Sequence, residues 1–101
     1  MSSFPLPVSR LFLSLILLAT SLLVSAQTAK KFFATGKKFQ EMGNCDDAIK
    51  NYTKALEMDP QMEDAYVARA SCYEKLEKKA EAAADYKLAT TFSPKDEKLF
   101  C

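Results

Sequence analysis

Pro60 and Pro94 stand 34 residues apart, and the same offset links Phe32 to Tyr66, Phe39 to Tyr73, Ala48 to Ala82, Tyr52 to Tyr86 and Ala55 to Ala89. Matched pairs at a single period are not an accident of composition. They say that one structural unit occurs at least twice, and units of this size bury their apolar faces on their neighbours. From Thr28 onward there is no strand-like alternation. Apolar residues recur three and four apart, which is the spacing of amphipathic helices. The fold class expected is therefore all-α.

Breakers divide the pattern. Gly43-Asn44 interrupts the first half, Pro60 separates the halves, Glu77-Lys78-Lys79 interrupts the second, and Pro94 closes it. Four helices follow, near residues 29–42, 46–58, 63–76 and 80–92. Gly43 suits the left-handed conformation that ends a helix, and Asn44 or Asp46 can accept a backbone N–H at the start of the next. Asp46 and Asp47 also favour a helix N-terminus electrostatically. The second turn has no glycine, so the second hairpin is expected to be the less sharply specified.

A helix-turn-helix unit of this length, with aromatics, small residues and a closing proline in this order, resembles the tetratricopeptide repeat (TPR) family. With repeats counted from Ala29 and Glu63, the family pattern is filled by Phe32 and Tyr66, Gly36 and Ala70, Phe39 and Tyr73, Ala48 and Ala82, Tyr52 and Tyr86, Ala55 and Ala89, then Pro60 and Pro94. The stretch from Glu41 to Pro60 is especially close. The resemblance implies antiparallel helix-turn-helix hairpins stacked as a short right-handed superhelix, an α-solenoid. The small residues would let the two helices of a hairpin approach, and the rings would fill the space between hairpins. Departures stand where the family usually has leucine, at Thr35 and Arg69, and where Lys38 replaces a small residue. Arg69 is expected either to reach solvent along its stem or to pair with an acid. Repeat one spans 29–62 and repeat two 63–96; residues 97–101 look like the opening of a third, to be completed by further sequence or by another molecule.

Residues 1–26 differ in composition from the rest. An uncharged start, Arg10, a leucine-rich run from Leu11 to Val24 and small residues at Val24-Ser25-Ala26 have the order of a signal peptide. The run is 14 residues, short for a membrane span of about 20. Cleavage after Ala26 is expected, leaving residues 27–101 as the TPR domain, exported to a periplasmic or extracellular space. The alternative is a membrane anchor made by residues 11–26. The remaining part carries 13 basic and 13 acidic residues, a balance that offers no broad attraction to nucleic acid or to an anionic membrane.

The inventory argues against catalysis. There is no histidine, and the only glycines are Gly36 and Gly43, so neither a histidine-based triad nor a phosphate-cradling loop can be built. Cys45, Cys72 and Cys101 match no zinc spacing and make no CxxC pair. No metal or cofactor is expected. Cys45 and Cys72 are read as small buried residues, with a disulfide between them as the alternative.

In the TPR family, first helices of successive hairpins line a groove that takes a partner's peptide or helix. The resemblance carries this to Lys30, Phe33, Lys37, Gln40 and Glu41 in repeat one, and to Asp64, Val67, Ala68, Ser71, Glu74 and Lys75 in repeat two. One TPR subclass grips a C-terminal carboxylate with lysine, asparagine and arginine. At those positions this chain has Phe33, Lys37, Ala68 and Lys98, of which only Lys98 matches, so tail binding of that kind is not expected. The implied function is a non-catalytic adaptor or scaffold of the cell envelope or secretory pathway. It would bind a protein or peptide partner, with self-association through the open C-terminal end as a further expectation. The rival readings are a structural part of a longer TPR protein and a membrane-anchored assembly subunit.

Overall fold

The computed structural model describes residues 7–93. Among these the chain forms four helices: α1 (Pro7–Glu41), α2 (Cys45–Met58), α3 (Glu63–Lys75) and α4 (Lys79–Phe92). The last three begin and end within about one residue of the predicted ranges. The first does not: it starts at Pro7 instead of near residue 29. Between Pro7 and Gly36 no glycine or proline interrupts the leucine- and alanine-rich run, so nothing stops the helix, and proline is tolerated in a first turn. Pro94, Lys98 and Cys101, together with the expected start of a third repeat, lie outside the described residues.

The two hairpin turns have the same backbone. In the first, Gly43 has φ 81° and the Asn44 N–H donates to the Phe39 carbonyl at 2.8 Å. In the second, Glu77 has φ 61° and the Lys78 N–H donates to the Tyr73 carbonyl at 2.8 Å. Glu77 stands 34 residues after Gly43, so a glutamate is held in the left-handed region that a glycine occupies without strain. The ends differ as well. The Asn44 side chain caps α2 by accepting from the Asp47 N–H at 3.1 Å, while Lys78 gives α4 no side-chain cap. The missing glycine leaves the shape of the second hairpin unchanged; the difference lies in strain and capping.

Small residues set how closely the helices pack. A Cβ placed on Gly36 would lie 2.5 Å from Cε1 of Tyr52, closer than atoms in contact can come. The bare backbone of α1 therefore makes the room for this ring, which is fully buried. Ala48, Ala55, Ala70, Ala82 and Ala89 are buried as well. One core cluster joins Cys45, Ala48 and Tyr52 of α2 to Ala68 and Cys72 of α3, with Phe33, Phe39, Ile49 and Leu76 packed around it. A second joins Leu56, Ala65, Tyr66 and Ala89, bordered by Phe33, Met62 and Phe92. Phe33 belongs to both. Its ring lies 5.6 Å from that of Tyr52, and Tyr66 stacks on Phe92 at 5.9 Å. Burial of one such side chain stabilises by about 1.5–3 kcal/mol.

Arg69 is resolved in favour of pairing. Its Nε and Nη2 donate to the two carboxylate oxygens of Asp85 at 2.7 and 2.8 Å, and Nη1 donates to Thr53 at 3.0 Å. One guanidinium thus ties α3 to α4 and to α2, and the hydrogen bonds to Asp85 raise its pKa. Its charge also lies 5.8 and 5.9 Å from the Tyr66 and Tyr73 ring centres. Asp85 is only 4% exposed, which a carboxylate tolerates when it is met in this two-pronged fashion.

Candidate functional site

Two helices that run in the same direction, α1 and α3, form the walls of a cleft of about 470 Å³. Its lining is Phe33, Lys37 and Gln40 from α1 with Asp64, Val67, Ala68 and Ser71 from α3. The helical repeat explains the selection. Residues 33, 37 and 40, like 64, 67, 68 and 71, fall three and four apart and share one helix face. The first helices of successive hairpins therefore present equivalent faces to one space, with the offset of 34 matching Phe33 to Val67 and Lys37 to Ser71.

The wall is partly anchored from behind. Phe33 packs against both core clusters while it lines the cleft. Gln40 is held by Tyr52, whose hydroxyl donates to its Oε1, so the other end of that amide is an N–H donor. Val67 is 40% exposed and Ala68 8%, which makes the middle of the cleft apolar. Lys37 and Asp64 are exposed and, among the described residues, neither belongs to an ion pair. Such a surface can hold a chain segment by apolar contact and by charge.

Seven of the eleven predicted groove residues are in this lining; Glu41 and Lys75 are exposed outside it. Lys30 is exposed on α1 outside it. Glu74 faces a different hollow, with Lys79, Ala82, Ala83 and Tyr86, and accepts from the Tyr86 hydroxyl at 3.0 Å. The role of Tyr52 in fixing Gln40 was missed by the sequence reading, which treats this residue as packing alone. The signal was available: the Gln40–Tyr52 pair recurs after 34 residues as Glu74–Tyr86.

Among the described residues, the cysteines add no reactive centre. Cys45 and Cys72 are free thiols and both are buried. Burial, and then the hydrogen bond with Cys45, push the Cys72 thiol up to about 12, which suppresses the thiolate at neutral pH.

Comparison with known proteins bears on this geometry. A family model described as tetratricopeptide repeat matches residues 33–97. RNA polymerase II-associated protein 3 of Rattus norvegicus and that of Mus musculus are each 37% identical to this chain over 70 residues, 69% of its length. The matched region is 11% of each of those proteins. A solved structure described as the first TPR of Spaghetti (RPAP3) bound to the HSP90 peptide SRMEEVD has a TM-score of 0.66 at 35% identity. That match covers 67% of this chain and 54% of the other. With a repeat model matched over most of its length, relatives of this identity and two stacked hairpins in place, the chain belongs to the tetratricopeptide repeat family.

Proposed function

We propose that this TPR protein-interaction domain works as a non-catalytic adaptor that holds a short peptide segment of a partner in the cleft between α1 and α3. The observation that carries the reading is the cleft itself, with an apolar floor at Phe33, Val67 and Ala68 and the charges of Lys37 and Asp64 outside any ion pair among the described residues. The similarity to a domain solved with the peptide SRMEEVD supports a peptide as the ligand class. The absent match at Phe33, Lys37 and Ala68 to the carboxylate-gripping set argues that this chain holds its ligand by other contacts.

Val67 is the residue to change, since Phe33 also holds the core together. Fluorescence polarisation of labelled SRMEEVD with Val67→Asp is expected to show about tenfold weaker binding than with the parent chain, the scale of one lost anchor. Circular dichroism should be unchanged, because Val67 stands at the surface. Equal binding by both proteins would remove the cleft from the function.

The cellular setting is proposed on residues 1–26 alone, as an exported adaptor cleaved after Ala26. An intact mass beginning at Gln27 supports it, and a mature protein retaining Arg10 overturns it in favour of an anchored or unexported form.

A further inference from the structure

Building on the peptide-binding reading, we infer that the cleft reads an order of side chains: basic, then apolar, then acidic along the direction of α1. We further infer that the acidic group it takes is a side chain, not a chain-terminal carboxylate. The order follows from three levels in the cleft. Asp64 is one helical turn before the apolar level of Val67 and Ala68 on α3, and Lys37 is one turn after Phe33 on α1. A turn rises about 5.4 Å. In an extended peptide, side chains two residues apart share a face at about 6.6 Å. Successive levels therefore accept alternate side chains of a strand laid along the cleft.

Each level has its own chemistry. At the first, the Asp64 carboxylate meets a basic group. At the second, Phe33, Val67 and Ala68 meet an apolar side chain. At the third and just beyond it the lining supplies donors: the Lys37 ammonium and the Ser71 hydroxyl, then, three residues after Lys37, the amide end of Gln40 whose orientation Tyr52 holds. A side-chain carboxylate reaches that third level on its own stem while its main chain stays outside. A terminal carboxylate would draw the main chain down beside Phe33 and Ala68, where no side chain pairs with its polar groups, and unpaired burial of peptide groups is costly. One lysine is also the only full positive charge in the lining. In SRMEEVD a glutamate follows the methionine two residues on, the spacing of the second and third levels, and an arginine stands directly before the methionine, so this peptide carries the order basic, apolar, acidic away from its end, with the last two at the alternate spacing.

The test uses the full chain and three labelled peptides: SRMEEVD as free acid, the same peptide as C-terminal amide, and a charge-reversed form with arginine and both glutamates exchanged in sign. The amide should bind within about twofold of the acid, and the reversed peptide about tenfold more weakly, the scale of lost charge complementarity. The double variant Lys37→Glu/Asp64→Lys should invert that preference, which simple damage to the fold cannot do. A loss of about tenfold on amidation, or a double variant that still prefers the parent peptide, overturns the order rule. If neither parent peptide binds up to about 1 mM, the groove reading falls with it. If the parent binds and Val67→Asp abolishes binding while the charge exchange has no effect, only the order rule falls.

Discussion

Gly36 and Tyr52 show how a single atom sets the distance between helices. Alanine is the better helix former by up to about 1 kcal/mol. Its Cβ would nevertheless press on a ring that is fully buried and whose hydroxyl is tied to Gln40. Overpacking of this kind costs about 1–3 kcal/mol, so Gly36→Ala is expected to lower stability by about 1 kcal/mol or more, read as the midpoint of chemical unfolding. A midpoint at or above that of the parent would show that the ring can move aside. Arg69 makes the complementary point about polar residues. Its position was legible as a departure from the repeat pattern; its partner was not, because Asp85 stands 16 residues away on another helix and many acids compete for an arginine in a sequence.

At the level of elements, the two hairpins show the same turn built from different residues. Gly43 and Glu77 both have positive φ, and for a residue with a Cβ this conformation costs roughly 1 kcal/mol. Glu77→Gly is therefore expected to stabilise the chain by about 0.5–1 kcal/mol, offset in part by the greater freedom of glycine in the unfolded chain. Differential scanning calorimetry reads the outcome, and an unchanged or lower Tm would contradict the strain argument. The α2, α3 and α4 boundaries were legible because turns and charged residues in their first turns mark them. The start of α1 was not, because a change of composition at residues 24–27 does not unwind a helix.

For the molecule as a whole, position in the stack matters more than position in the repeat. Tyr52 and Tyr86 are equivalent by sequence, and each hydroxyl donates to the residue 12 before it. Tyr52 is nevertheless 0% exposed and Tyr86 36%, since the α1–α2 hairpin is covered by α3. Tyr86 instead borders a hollow lined by Glu74, Lys79, Ala82 and Ala83. Truncating a buried ring costs about 3–5 kcal/mol, whereas Tyr86→Ala should cost about 1 kcal/mol, nearer to a surface change. Urea unfolding of both variants measures the difference; equal losses would mean that the second hairpin is covered in solution as the first is.

The order of residues by itself determined the period, the helical class and the turn positions, because these depend on spacings within one unit and its copy; the faces assigned to the cleft came from the resemblance to the TPR family. Tertiary structure decided which of two equivalent tyrosines is buried, which acid meets Arg69, and that Glu74 turns from the cleft to the outer hollow. Those outcomes depend on what lies across a helix from each side chain, and a repeated sequence contains no difference between a face covered by a neighbouring helix and one that no described helix covers.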